Sequence, residues 1–136
     1  AVRCMFFLDF TFCLRHESQD PIKVLENLVI FGFTSLDRWN SELQILQNDF
    51  SFLSRLPEFN FLIAGSDEIE ATWIKAIKRG MDQGVFREDL DTKLSYRMMI
   101  GSIVGASRWY RKGGKLSAIE VGKYHAHFFL NGLIKS

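Results

Sequence analysis

The run Gly80-Met81-Asp82-Gln83-Gly84-Val85-Phe86-Arg87-Glu88-Asp89-Leu90-Asp91 decides the fold, together with the apolar pattern after it and then Arg108-Trp109-Tyr110-Arg111-Lys112-Gly113-Gly114-Lys115-Leu116-Ser117. The order reads as helix, loop, helix, basic glycine turn, final helix. Gly84 suits a helix C-cap, since glycine takes a positive φ without a Cβ clash; Gly80 and Gly84 together fray the end of the preceding helix. Phe86 to Leu90 is a connecting loop. Asp91 or Thr92 caps the next helix, Lys93 to about Tyr110, whose basic end (Arg108, Arg111, Lys112) suits the negative pole of a helix. Gly113-Gly114 ends it. Ser117 with Glu120 three positions on is a capping box for a last helix running to about Ile134.

Upstream, Asp20-Pro21 is a start signal: Asp as N-cap, Pro where a missing N–H costs nothing. Ile22, Leu25, Leu28, Val29, Gly32, Phe33 and Leu36 follow at helical spacing, and Asn40-Ser41-Glu42 is a place for a break or bend. Leu43, Leu46, Phe50 and Leu53 continue the period. After Pro57, the residues Phe59, Leu62, Ile69, Trp73, Ile77 and Met81 mark a long helix, with Glu68, Lys75, Lys78, Arg79 and Asp82 on its wet side. No segment alternates with period two between turn signals, so no strands are expected. The expectation is one all-α domain of five to six helices.

The 136 residues suffice for one buried core. Thirteen Phe, three Trp and three Tyr exceed what a minimal bundle needs, and can fill a core, line a pocket or cover a partner. Seventeen basic and sixteen acidic residues leave a net charge of +1, which excludes the strongly basic face of non-specific DNA binding. Cys4 and Cys13 are nine apart, point different ways on one helix and make no disulfide framework. The opening residues mimic a signal peptide, but Asp9 interrupts the apolar run and no cleavage site follows, so a buried helix is expected there. The apolar run Met98–Ala106 is nine residues long, against the ~20 of a membrane span. A soluble, cytoplasmic chain follows. It begins without Met, so either Met has been removed or residues precede Ala1.

Catalytic and metal signatures do not assemble. There is no Cys-x-x-Cys and no His-Glu-x-x-His. His125 and His127 point away from each other on a helix, and none of the eight Glu has a His three positions on. Gly114-Lys115 lacks the surroundings of a phosphate loop, Glu88, Asp89 and Asp91 lack calcium-loop spacing, and there is no Gly-x-Ser-x-Gly elbow. Neither enzyme activity, cofactor nor metal is expected.

Two surfaces remain. Gly101, Ser102, Gly105 and Ala106 line one side of the Lys93–Tyr110 helix, extended by Met98 and Trp109. The last helix offers Tyr124, Phe128, Phe129 and, near its end, Leu133. Two copies of this pair can form a four-helix bundle across a two-fold axis; alternatively the glycines meet another helix of the same chain. The second surface is the interior walled by Phe10, Phe31, Trp39, Phe50 and Trp73, which is either a pocket for an elongated apolar ligand or a filled core. The basic turn (Arg108, Arg111, Lys112, Lys115) is either a solvated helix end or a hold for an anionic headgroup.

Phe86-Arg87-Glu88-Asp89-Leu90-Asp91, the small-residue helix, Arg108-Trp109-Tyr110 with Gly113-Gly114-Lys115-Leu116-Ser117, and the closing Phe128-Phe129-Leu130-Asn131-Gly132-Leu133 resemble the C-terminal half of TetR-family transcriptional repressors. The branch is the one whose members often sense acyl-CoA thioesters in fatty-acid or steroid catabolism. The resemblance is clear over about Ile69–Leu133. It implies a homodimer through the last two long helices, with Gly101, Gly105, Trp109, Tyr124 and Phe128 at the seam. It also implies an effector enclosed by the preceding helices, near Trp73, Met99 and Ile103. Nothing in the chain matches the family's N-terminal helix-turn-helix, so DNA recognition is implied only for a parent protein, whether this chain is a fragment or has lost that part. The rival reading is a free-standing helical interaction module with a filled core and no ligand.

Overall fold

A computed structural model describes residues 20–135, and the side chains of all of these except 39–47, 59 and 61–63. Four α-helices occupy the described residues: α1 (Pro21–Leu53), α2 (Asn60–Asp82), α3 (Thr92–Gly105) and α4 (Ala118–Leu133), with single 3-10 turns at Pro57–Phe59 and Ala106–Arg108. The fold is all-α, with one isolated antiparallel bridge between Phe86 and Ile134. The expected opening helix, with Cys4, Phe10 and Cys13, lies outside the described residues.

The caps form as the local sequence dictates. Asp20 Oδ1 accepts from the Ile22 amide at 3.0 Å and Asp91 Oδ1 from the Leu94 amide at 2.9 Å. Ser117 and Glu120 close both halves of their capping box. Each such cap satisfies amides that have no intrahelical partner.

Three element expectations are corrected. Asn40-Ser41-Glu42 does not interrupt α1, which runs 33 residues without a break; polar residues inside a helix cost only tenths of a kcal/mol, and proline alone removes a bond and clashes. The third helix does not reach Tyr110 as α-helix, but tightens into a 3-10 turn from Ala106, a common way to finish the last turn. Gly80 does not fray α2: it stands inside the helix, where a Cβ would meet the Phe86 ring at 2.1 Å. The end is made by Gly84 alone, at φ +74.

Phe86, placed by sequence in a connecting loop, is thus fully buried. Its amide and that of Val85 both bond the Gly80 carbonyl, and the loop is stitched to the end of α4 by Arg87 N to Leu133 O (2.8 Å) and Lys135 N to Val85 O (2.9 Å). The core is one cluster: Val24, Leu25, Leu28, Val29, Phe33 and Leu36 of α1, Trp73 and Ile77 of α2, Met99 and Ile103 of α3, and Val121, Ala126 and Leu130 of α4. Each fully buried large side chain contributes about 1.5–3 kcal/mol. α4 lies most extensively on α1, and Gly122 sets how close: a Cβ there would stand 3.1 Å from the Ile30 Cα.

Candidate functional site

The outer faces of α3 and α4 carry an apolar stripe that the chain itself leaves open. On α3, Met98 is 58% exposed, Trp109 just beyond the helix is 59% exposed, and Leu94 one turn before Met98 is exposed too. Between them Gly101, Ser102 and Gly105 lie along the same side. On α4, Tyr124 and Phe128 project outward at 79% and 69% exposure. A Cβ at Gly101, Gly105 or Gly132 would meet nothing within 4 Å. Among the described residues, these glycines therefore touch no other helix. By contrast a Cβ at Gly32 would stand 2.9 Å from Ile103 Cγ2, so the inward glycines are the ones that pack helices together.

Three residues expected on or beside this stripe are elsewhere. Leu133 is 6% exposed and belongs to the core, because its position along α4 falls on the same side as Ala126 and Leu130. Ala106 is fully buried, and Phe129 is half-buried against His125. Leu94 and Gly132 join the stripe unforeseen; the signal was the i, i+4 step from Leu94 to Met98 and the closing Gly on the Phe128 side of α4.

Of the expected pocket walls, Trp73, Met99 and Ile103 are buried within the one core cluster, and Phe31 packs partly buried against it. Ile103 fills the space over Gly32, and the Trp73 ring faces Tyr96 at 6.1 Å between centroids. Phe50 is not brought to them: it sits exposed near the far end of α1, beside exposed Phe52. Phe10 and the Trp39 side chain lie outside what is described.

Polar contacts fasten the stripe's base. The Tyr110 hydroxyl donates to Asp37 Oδ1 at 2.5 Å, pinning the end of the α3 segment to α1. Burial, then the Asp37 hydrogen bond, pushes the Tyr110 phenol up to about 12. His125 is held below the ordinary imidazole value by burial. At the α4 end, Arg87 donates to Gly132 O at 3.2 Å and grips both Asp89 oxygens; this hydrogen bonding holds the Asp89 carboxyl below its usual range. The basic turn is fully on the surface, with Gly113 at φ +78 and Arg108, Arg111, Lys112 and Lys115 exposed. Among the described residues no cluster of His, Cys, Asp and Glu could hold a metal, and no helix is long and apolar enough to cross a membrane.

An apolar core among the four described helices, beside a second apolar stripe exposed across the last two, defines an all-α bundle with an open apolar face. Comparison with known proteins gives that class its family. The chain belongs to the Tetracyclin repressor-like, C-terminal domain family, whose profile matches residues 18–133. It is 31% identical over 134 residues to the HTH-type transcriptional repressor KstR2 of Mycolicibacterium smegmatis, an alignment covering 96% of this chain and 65% of that protein. To KstR2 of Mycobacterium tuberculosis it is 29% identical over 133 residues, covering 95% and 66%. The solved structure of that ketosteroid transcriptional regulator from M. tuberculosis superimposes with a TM-score of 0.90 at 26% identity, again over 96% of this chain and 66% of that one. The chain thus spans slightly less than two thirds of these relatives. These relatives are described as transcriptional repressors or regulators.

Proposed function

We propose that this chain is the effector-sensing and homodimerising part of a cytoplasmic transcriptional regulator. Pairing carries the reading: glycines with open space above them on α3 lie beside exposed aromatics on α4. Slim and thick surfaces of this kind complement each other when a second copy is turned by a two-fold axis, giving a four-helix bundle of α3 and α4 from each copy. Met98, Gly101, Ser102, Gly105, Trp109, Tyr124 and Phe128 are the seam residues of this proposal, with Leu94 and Gly132 added.

The effector is an apolar molecule bound between α1, α2 and α3, near Trp73, Met99 and Ile103, with an acyl-CoA thioester as first candidate. The description of the M. tuberculosis relative as a ketosteroid regulator supports adding a steroid nucleus to the linear acyl chain as the apolar part. Trp73, Met99 and Ile103 are buried in the core cluster, and a ligand seated beside them would part α3 from α1 or α2. Because α3 also carries the seam, parting it changes how two protomers tilt. In a whole regulator bearing DNA-reading heads, that tilt sets their spacing against half-sites about one helical turn apart. The ligand switches the protein only if it binds the two tilts unequally.

A thermal-shift panel of acyl-CoAs of graded chain length and of ketosteroids tests the sensor. Stabilisation by one member over its neighbours supports it; silence across the panel leaves the filled-core interaction module in its place. Light scattering after size exclusion tests pairing, and a 15.8 kDa species at micromolar concentration refutes it.

A further inference from the structure

His125 stands on α4 where the core face turns into the open stripe. Its ring meets Phe33 of α1 edge-on at 4.9 Å between centroids and Phe129 at 4.8 Å. Phe129 meets Phe128 edge-to-face at 5.9 Å, and Phe128 is the aromatic that the stripe projects. One run of rings therefore joins the inside of the bundle to the pairing surface. Within it the His125 Nε2 is sealed from solvent and makes no hydrogen bond among the described residues.

We propose that His125 is a proton-operated lock on self-association. Neutral, it fills the gap between Phe33 and Phe129 and holds Phe128 in its pairing position. Protonated, it has no acceptor in the gap among the described residues and turns toward water, releasing Phe129 and with it Phe128. The inference rests on pairing through the α3–α4 stripe.

Among the described residues the surroundings supply no counter-charge, and the rings that meet His125 belong to α1 and to α4 itself. On α1, Glu26 pairs with Lys23 at 3.3 Å, and Asp37 accepts the Tyr110 hydroxyl. On α4, Glu120 is occupied in the capping box, Lys123 is exposed, and His127 points outward to Asn131 at 3.2 Å. Burial is the only cause that lowers the His125 pKa from 6.5. A group whose folded-state pKa is depressed contributes stability that is whole above its unfolded value and is lost as pH falls through the folded one. The same sign applies to pairing when the paired state keeps the ring sealed: pairing is strongest where the ring is neutral and weakens as pH falls.

Sedimentation equilibrium on the full chain at about pH 7.5 and about pH 5.5 tests this, with wild type, His125→Phe and His127→Gln. Wild-type pairing is expected to weaken at the lower pH, read as a loss of dimer at fixed protein concentration. His127→Gln should follow wild type, and His125→Phe should stay flat. A pH-flat wild-type dimer overturns the lock, as does dependence lost in His127→Gln but kept in His125→Phe. If His125→Phe does not fold, NMR titration of the wild-type imidazoles decides: a His125 pKa lower in the dimer than in the diluted chain supports the lock, and equal values overturn it. A chain monomeric even at pH 7.5 overturns the pairing reading and the lock together, an outcome distinct from a pH-insensitive dimer.

Discussion

At the scale of single residues, glycine has two opposite jobs in this chain, and the space around each tells them apart. Gly80 exists for Phe86: a Cβ would overlap the ring at 2.1 Å. Gly80→Ala gains about 1 kcal/mol of helix propensity but forces the ring out of a full core, where overpacking costs about 1–3 kcal/mol. The expected result is a net loss of stability, read as a lower urea midpoint with an unchanged slope. Tyr110 offers a second residue-level test. With its phenol raised to about 12, both folded and unfolded chains keep the proton below pH 10. Between 10 and 12 the unfolded chain gives it up and the folded chain does not, so folding stability falls as pH rises through that window. Tyr110→Phe should flatten this part of the alkaline limb in pH-dependent denaturation. The share due to Tyr96, also raised by burial, should remain. An equally steep limb in the variant would mean that the Asp37 contact and burial do not set this titration.

At the scale of elements, what could be read in advance was whatever a few neighbouring residues decide. Asp20 before Pro21, Asp91, and Ser117 with Glu120 all cap the helices they were expected to cap, because a cap is a contact between side chain and backbone within a single turn. Ser117→Ala should accordingly cost about 1 kcal/mol in equilibrium unfolding, and no loss at all would mean the box is not made. Asn40-Ser41-Glu42 misled because weak helix formers stop a helix only when nothing propagates through them. Phe86 was misplaced for another reason. Its burial comes from the stitch between the α2–α3 loop and the end of α4, residues far apart in sequence, and no local pattern announces it, whereas Leu133 was legible from its i, i+3 step from Leu130. Magnitudes show which part of that stitch matters. The Arg87–Asp89 pair is on the surface, where such pairs add little, whereas removing the Phe86 ring leaves a cavity costing about 3–5 kcal/mol. Phe86→Ala should therefore lower the urea midpoint severely and Arg87→Ala barely; the reverse order would make the ion pair the tie.

At the scale of the whole molecule, the stripe across α3 and α4 presents a conflict that the proposed pairing would resolve. Phe128, Tyr124, Trp109 and Met98 are largely in water, although burying each would be worth about 1.5–3 kcal/mol, and contiguous exposed apolar area of this kind marks an association surface. Gly101 and Gly105 sharpen the case, since glycine costs an exposed helix about 1 kcal/mol against alanine, and a chain acting alone gains nothing for that cost. The two situations give opposite signs for one substitution. In an isolated chain Gly105→Leu meets open space and strengthens α3, so the midpoint rises. In a paired chain the new side chain stands where the partner's helix must lie, so mass falls from twice 15.8 kDa to one copy while far-ultraviolet circular dichroism still reports helix. Wild type supplies the control through mass action. If unfolding releases two chains from one dimer, each tenfold rise in protein concentration stabilises the fold by about 1.4 kcal/mol, and the melting temperature climbs with concentration. In Gly105→Leu it should not. A wild-type melting temperature independent of concentration, together with a more stable Gly105→Leu, would return the stripe to the status of bare surface.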